Sequence, residues 1–300
     1  MNSTFVSICM AAYNAELYIR YALDSICNQT YTNFECIIVD DHSTDSTVNI
    51  IMEYCKRDSR FKLYTNCTDP SKPYVDAHNV SYSLAKGKYL IRFDDDDIMH
   101  PNHIETIVKE MDDHPEYDAV CTTIEYFVYD AETDMYHPYY YSEESYISAD
   151  EFNKFPGPSL CQNKIVWFNQ ASAIRKDSLN LFHLYFETFV LGDFIFWLNA
   201  ISMGCKLYRI SDITLSHRQR NDSTFYSHEY TNFNDYDSLI LMFSYYESIY
   251  RAYPLDMVYR DNTIEYYIID ARNYIEYFKN KKKYKWSRIS RINKRMQMIL

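Results

Sequence analysis

Carboxylates gathered in short runs are the residues of this sequence best suited to chemistry. Four consecutive aspartates, Asp94–Asp97, follow one apolar stretch, and the pair Asp40-Asp41 follows another. Carboxylates this close repel one another, and a hard divalent cation, shared with phosphate and water, is the usual remedy. The alternative is a solvated acidic turn before a helix, whose N-terminal dipole favours anions. Both interpretations, a cation-assisted phosphate site and a structural turn, are open at this point.

The elements that must position these carboxylates alternate as strand and helix over the first 125 residues. Continuous apolar runs predict strands at 5–12, 34–39, 61–65, 89–93 and 118–128. Apolar residues at helical spacing predict helices between them. We expect Asn14 to cap the first helix and Ser43 or Thr44 the second, with Gly87 as the left-handed residue after a helix over 74–85 and Pro101 opening the next helix.

Strands this apolar, alternating with helices, predict an α/β fold with a mostly parallel sheet covered on both faces. Ligands of such sheets bind beyond the carboxyl ends of the strands. Tyr13-Asn14, Asp40-Asp41 and Asp94–Asp97 all fall at predicted strand ends. The sequence therefore predicts one acidic crevice built from three strands.

The later sequence is less regular. A stretch from about 130 to 170 has no clear period, a strand is expected at 167–174 and a helix at 186–201. From about 233 the pattern is helical and rich in tyrosine. We therefore expect a domain over 1–225, divided near 125 into a nucleotide-sugar half and an acceptor and catalytic half, followed by a helical region over 226–300.

Composition and charge exclude several classes of protein. With 47% apolar and 24% charged residues, the chain is globular rather than disordered or fibrous. Nine of the 30 basic residues lie in 279–300, which has no acidic residue, so the rest carries 21 basic and 42 acidic groups and should repel nucleic acid. Eight cysteines without a CxxC pair predict free thiols. No apolar stretch is long enough for a signal peptide or a membrane span, which predicts a cytoplasmic protein.

Three early segments and one acidic segment together resemble the opening of family 2 glycosyltransferases. The first three are Val6-Ser7-Ile8-Cys9-Met10-Ala11-Ala12-Tyr13-Asn14, Leu23-Asp24-Ser25-Ile26-Cys27-Asn28-Gln29-Thr30 and Ile37-Ile38-Val39-Asp40-Asp41-His42-Ser43-Thr44-Asp45. Phe93-Asp94-Asp95-Asp96-Asp97-Ile98-Met99-His100-Pro101 resembles the DxD segment of that family. The resemblance covers about 5–115 well and 165–225 more weakly.

The resemblance implies a GT-A fold, a Rossmann-like α/β/α domain, and inverting transfer of a sugar from a nucleotide diphosphate with Mn²⁺ or Mg²⁺. Ala11 stands where the family often has Pro, and Tyr13 would border the base. Asp41 would accept a hydrogen bond from the base imide, which favours uracil over cytosine. Asp94 would lie near the ribose. Asp96 would reach the metal, with Asp95 as the alternative if the register slips by one.

The resemblance also implies the residues that would act on the acceptor and the diphosphate. Leu191-Gly192-Asp193-Phe194-Ile195-Phe196-Trp197-Leu198 resembles the segment that supplies the base, so Asp193 would deprotonate the acceptor hydroxyl, the alternative being a first-turn carboxylate of a helix. Arg218 and Arg220 would contact the diphosphate. His42 replaces a common Gly, so a different turn is expected there, and the basic residue expected near 74–85 is Lys72 or His78.

The basic segment over 279–300 has two interpretations. Trp286, Ile289, Ile292, Met296 and Ile299 recur every three or four residues among Lys and Arg side chains. Such an amphipathic helix suits an anionic membrane surface. An ordinary final helix that packs on the domain or forms a homodimer is the alternative, and the sequence favours it slightly.

The function predicted from the sequence is metal-dependent inverting transfer of a hexosyl or N-acetylhexosaminyl group from a UDP-sugar to a hydroxyl of a glycan, lipid carrier or protein. One alternative is a catalytically inactive module of the same fold that binds the nucleotide sugar. A sugar-phosphate nucleotidyltransferase is less favoured, because Ala11-Ala12-Tyr13-Asn14 is not a Gly-rich phosphate loop. A receiver domain is much shorter than this chain and would explain neither Asp94–Asp97 nor Asp193.

Overall fold

The computed structural model of the protein describes residues 3–66, 75–130, 135–139, 149–154, 172–182, 184 and 192–219. Their elements are, in chain order, β1 (Val6–Ala12), α1 (Ile19–Cys27), β2 (Phe34–Asp40), α2 (Thr47–Arg57), β3 (Phe61–Thr65), α3 (Val75–Leu84), β4 (Tyr89–Arg92), β5 (Ile98–Met99), α4 (His103–Asp113), β6 (Ala119–Asp130), β7 (Met135–Tyr139), α5 (Ala149–Lys154), β8 (Ser172–Arg175), α6 (Lys176–Leu181), α7 (Gly192–Ser202) and β9 (Leu207–Arg218).

The strands of the described residues form one sheet in the order β3-β2-β1-β4-β8-β6-β9-β5, with β7 also paired to β6. The first four strands are parallel, as predicted. The second half is mixed, because β8 runs antiparallel to both β4 and β6, while β9 is parallel to β6 and antiparallel to β5. The β1–β4 half is therefore wholly parallel, as expected, whereas the other half is mixed, with β6 and β9 as its parallel pair.

Both faces of the sheet are covered, which explains why β1 and β2 are buried at every position. Side chains of β1 alternate between two cores, with Ile8 and Met10 on one face and Cys9 and Ala11 on the other. Helices α1, α2 and α4 pack on the first face, and α3, α5, α6 and α7 pack on the second. The predicted α/β/α sandwich is confirmed.

Asn14, Ser43 and Thr44 do not cap helices as predicted. They instead form hydrogen bonds between the loop after β1 and the loop after β2. Helix α1 begins at Ile19, and Asn14 instead accepts the main-chain N–H of Thr44 through Oδ1 at 2.8 Å. The Asn14 N–H in turn donates to Ser43 Oγ at 3.0 Å. The first helical residue of α2 donates its N–H to Asp45.

Gly87 is needed for a reason other than the one predicted. Its φ is not positive, and α3 ends at Leu84. A Cβ on Gly87 would lie 2.4 Å from the main-chain nitrogen of Ser7, far inside van der Waals contact. Its N–H donates to Ser7 Oγ at 2.8 Å. The residue is glycine because β1 passes directly against it.

Several expectations concern residues outside the described ranges. They include the strand before 172, the helix before 192, Lys72, Arg220, and everything from 226 to 300 with its basic helix. No described helix is long and apolar enough to cross a membrane. The division of the chain at 225 stays a prediction.

Candidate active site

The predicted crevice is present at the carboxyl ends of β1, β2 and β4. Residue Ala12, which ends β1, lies opposite Asp40, which ends β2. The Asp41 N–H donates to Ala12 O at 2.9 Å, and the Tyr13 N–H donates to Asp95 Oδ2 at 3.0 Å. Main-chain hydrogen bonds thus join three strand ends that are up to 82 residues apart in sequence.

Two residues at the rim have left-handed backbones. Asn14 has φ of 47° and His42 has φ of 65°. Asparagine and histidine enter this region more readily than most other residues with a Cβ, although glycine is favoured there. The turn expected to differ at His42 therefore still lies in the backbone region that favours glycine. Tyr13, between β1 and Asn14, is 58% exposed, so its ring is available to a ligand.

Asp41 is held by a residue that sequence reasoning missed. Its carboxylate is buried, and Oδ1 accepts a hydrogen bond from Asn66 Nδ2 at 2.9 Å. The Asn66 main chain is fixed by its own N–H, which donates to Asp40 O at 2.8 Å. The signal was available, since Asn66 is a polar residue directly after a strand of the same parallel sheet.

The four consecutive aspartates do not share one environment. Asp94 Oδ1 lies 2.9 Å from the Arg92 guanidinium, which is only 2% exposed. Asp97 is fully buried and contacts His217 Nδ1 at 2.9 Å, and its Oδ1 also accepts the Arg218 N–H at 3.0 Å. Asp95 and Asp96 are partly exposed. Two of the carboxylates are thus paired with buried or half-buried cationic residues.

The electrostatics of the loop follow from this pairing. Burial raises the pKa of Asp94; Arg92 opposes the rise, and the charges of Asp96 and Asp193 add to it. Burial by itself would lower the pKa of His217, but Asp97, with help from Asp96 and Asp94, raises it to about 9. His217 is therefore a cation at neutral pH.

Asp193 is held at the crevice by the packing of its helix. It lies in the first turn of α7, whose Phe196 and Trp197 are buried in the second core. Phe196 packs edge-on against Tyr82 of α3, with ring centroids 6.3 Å apart. The charge of Asp193 acts on Asp94, so the two carboxylates are electrostatic neighbours although they are 99 positions apart.

Comparisons with known proteins agree with this geometry. The profile of glycosyl transferase family 2 matches residues 7–175, more than half of the chain. The chain belongs to glycosyltransferase family 2. An uncharacterised glycosyltransferase of Haemophilus influenzae is 37% identical over 127 residues, or 42% of this chain and 39% of the relative. The Escherichia coli UDP-Glc:alpha-D-GlcNAc-diphosphoundecaprenol beta-1,3-glucosyltransferase WfgD is 37% identical over 111 residues, or 37% of this chain and 42% of the relative.

Solved structures show the same fold at low identity. Staphylococcus aureus TarS 1-349 in complex with UDP-GlcNAc has a TM-score of 0.63 at 19% identity, covering 82% of this chain and 66% of that one. The mannosyltransferase PcManGT from Pyrobaculum calidifontis, in complex with GDP-Man and Mn²⁺, has a TM-score of 0.57 at 14% identity, covering 98% and 79%. The GT-A fold predicted from the sequence is thereby confirmed. The sequence matches span about two fifths of the length of the curated relatives named above.

Two residues expected at the donor of this family 2 glycosyltransferase, Ala11 and Arg218, have buried side chains, and so does His78, one candidate for the expected basic residue. Ala11 faces the second core of the sheet. Arg218 is 3% exposed, and its guanidinium lies 5.0 Å from the ring of Tyr18 and 4.6 Å from that of Phe127. His78 is fully buried, and burial together with the charge of Arg92 lowers its pKa well below the usual range, so it is neutral. Lys72 is the remaining candidate for the basic residue.

The acidic loop of this family 2 glycosyltransferase fits a hard divalent cation by the chemistry of its donors. Asp95 and Asp96 offer partly exposed carboxylate oxygens, the ligands that Mg²⁺ and Mn²⁺ prefer when phosphates complete the shell. Within the described ranges, no group of three or more His, Cys, Asp or Glu side chains is arranged to hold a metal alone. That arrangement suits a cation shared between protein and diphosphate.

Proposed function

We propose that the chain transfers a hexosyl or N-acetylhexosaminyl group from a UDP-sugar to an acceptor hydroxyl, with inversion and with a divalent cation. The observation that carries the proposal is the meeting of Tyr13, Asp41 and the Asp94–Asp97 loop at one edge of the sheet, with Asp193 within electrostatic reach. The E. coli relative, whose name specifies UDP-Glc, and the TarS complex with UDP-GlcNAc support a UDP-sugar.

The donor would lie across the ends of β1, β2 and β4. Tyr13 borders the base, Asp41 accepts its imide N–H, and Asp94 lies beside the ribose. Asn66 keeps the carboxylate of Asp41 in place through its hydrogen bond to Oδ1. A buried acceptor oxygen of this kind favours a base with a ring N–H at that position, as in the uracil imide, over cytosine, whose ring N3 is an acceptor. Ala11 lies beneath this site, and Arg220 would approach the diphosphate.

The cation would be held by Asp96, with Asp95 as the alternative. When bound, it neutralises the charge that develops on the departing nucleoside diphosphate. Asp193 acts as the general base: it takes the proton of the acceptor hydroxyl as that oxygen attacks the anomeric carbon from the side opposite the leaving group. The bond from the anomeric carbon to the diphosphate oxygen breaks as the new glycosidic bond forms, so the configuration inverts. The acceptor is a glycan, a lipid carrier or a protein hydroxyl.

Thermal unfolding against nucleotides tests the donor class. UDP with Mn²⁺ at 100 times its dissociation constant should stabilise the chain by about 2.7 kcal/mol, which is visible as a rise in Tm. EDTA should reduce the shift, and CDP should give a smaller one. GDP is the necessary comparison, because guanine also presents a ring N–H and because PcManGT binds GDP-Man. A shift with none of UDP, GDP, ADP or CDP would contradict the proposal.

A further inference from the structure

Two cationic side chains flank the acidic loop from opposite sides. Arg92, the last residue of β4, is 2% exposed and pairs with Asp94 at 2.9 Å. His217, near the end of β9, has a side chain that is 16% exposed, and its Nδ1 lies 2.9 and 3.0 Å from the two carboxylate oxygens of Asp97. A charge so poorly solvated is stable only when it is paired, so each cation fixes the position of its partner.

The Asp97 carboxylate is fully committed to the protein. Besides His217, it accepts the main-chain N–H of Arg218 at 3.0 Å, and its side chain has no exposed surface. Turning toward a ligand would break all of these contacts. Asp97 therefore serves as an anchor between the loop and β9.

The two middle aspartates are placed differently. Asp95 and Asp96 are partly exposed, and Asp95 Oδ2 accepts the Tyr13 N–H at 3.0 Å. The carbonyl oxygen of Asp96 accepts Arg218 Nε at 2.9 Å, which fixes the main chain from which the Asp96 carboxylate projects. The loop is thus held at Asp94, at the Asp96 carbonyl and at Asp97.

We propose that Arg92 and His217 are positioning residues: Arg92 orients Asp94 beside the ribose, His217 withdraws Asp97 into the fold, and Asp96, with Asp95 beside it, is thereby presented to the divalent cation of the donor. This inference rests on the proposed function and adds to it the side chains that select which aspartates meet the cation. Neither cation needs to touch the donor.

Binding of Mn²⁺ and of UDP, measured separately, tests the inference. The variants Arg92→Gln and His217→Phe remove the cations, whereas Arg92→Lys keeps the charge and His217→Asn keeps a donor where Nδ1 stands. Free Mn²⁺ is followed by electron paramagnetic resonance with saturating UDP, and UDP binding is followed by calorimetry in EDTA. Removing a residue that orients a metal ligand costs about 10- to 100-fold in metal affinity.

We expect His217→Phe to weaken Mn²⁺ binding by at least ~10-fold while UDP binding in EDTA changes much less. Arg92→Gln should weaken both, because Arg92 also orients Asp94 beside the ribose. Arg92→Lys and His217→Asn should recover part of the loss, and they keep the test decisive if the first two variants do not fold. The matched control is Arg60→Gln, which removes an arginine paired with Asp58 at the start of β3, at the opposite edge of the sheet. It should leave Mn²⁺ affinity unchanged.

The outcomes separate the inference from the function on which it rests. If folded Arg92→Gln and His217→Phe bind Mn²⁺ as tightly as the wild type, the positioning role is overturned while the proposed function stands. The role is equally overturned if Mn²⁺ and UDP affinities fall together and the conservative variants restore neither, since that pattern marks general damage to the fold. If the wild-type chain binds neither UDP nor Mn²⁺ with UDP, the proposed function fails and the inference fails with it.

Discussion

Asp41 and Asp94 stand at the same edge of the sheet, but their neighbours give them different properties. Asn66 donates to Asp41 through a neutral amide, which orients the carboxylate without neutralising it. Arg92 compensates the charge of Asp94, against a burial that raises the pKa of that carboxyl. The two carboxylates therefore differ in what balances them, a neutral amide in one case and a guanidinium in the other. Two aspartates with the same side chain thus become two kinds of acceptor.

Asp193→Asn tests the proposed base. The amide keeps the size of the side chain but cannot take a proton, so transfer should fall by at least ~10² while donor binding is retained. Initial rates with a UDP-sugar and UDP binding by calorimetry measure the two effects. Asp177→Asn is the matched control, because Asp177 lies in the first turn of α6 and is exposed. Unchanged transfer in Asp193→Asn would remove this residue from the mechanism.

Helix α7 shows how the packing of a helix can fix the position of a candidate catalytic residue. Six of its side chains are buried in the second core, namely Ile195, Phe196, Trp197, Leu198, Ala200 and Ile201. A helix held over this much of its surface does not rotate freely, so the first turn that carries Asp193 is fixed by packing against α3. The position of the proposed base thus depends on apolar residues of the second core.

Gly87→Ala tests the close approach of β1 to the segment between α3 and β4. The added Cβ would meet main-chain atoms of Ser7 and Val6 at 2.4 and 2.6 Å. Main chain inside a sheet cannot move aside cheaply, so we expect a loss of roughly 3 kcal/mol in the free energy of unfolding. Gly204→Ala is the control: its φ is +91° but no atom lies within 4 Å, so only about 1 kcal/mol of backbone strain is expected. Equal losses measured in urea would contradict the steric argument.

The sequence predicted the elements of the parallel half of the sheet because their signals are local. Runs such as Val6–Ala12 and the apolar face of α4 can be read without knowing their partners. The role of Gly87 could not be read, because its cause lies 80 residues away in β1. The mixed half was missed for the same reason, since pairing of β8 between β4 and β6 is a long-range event.

Across the whole molecule, the candidate site also has residues that the sequence predicts and residues that it does not. Asp41, Asp94–Asp97 and Tyr13 were predictable because polar residues at the ends of parallel strands share one edge. Arg92 and His217 were not assigned, since their importance comes from partners that only the fold brings near. His217 and Asp97 are separated by 120 residues.

The pH dependence of stability tests this long-range pair. His217 has a pKa of about 9 in the folded chain and 6.5 as an ordinary histidine. Its stabilising contribution is complete below pH 6.5 and is lost as the pH rises through 9, because the unfolded chain releases the proton first. The free energy of unfolding should fall over this interval by roughly 3 kcal/mol at most. For His217→Asn, the free energy of unfolding, measured by denaturant titrations at successive pH values, should fall less than for the wild type. An equal fall in both proteins would contradict the pairing of a charged His217 with Asp97.

The contact between Asp97 and His217 also determines when, during synthesis on the ribosome, the acidic loop can take its folded geometry. Strand β5 follows Asp97 directly, yet among the described strands its partner is β9, which ends at Arg218. A nascent chain that has released β1–β5 holds Arg92 and every aspartate of the acidic loop, but it lacks His217 and Arg218, which hold Asp97 and the Asp96 carbonyl. We therefore infer that the acidic loop reaches its folded geometry only after β9 has left the exit tunnel, when most of the chain has already been made.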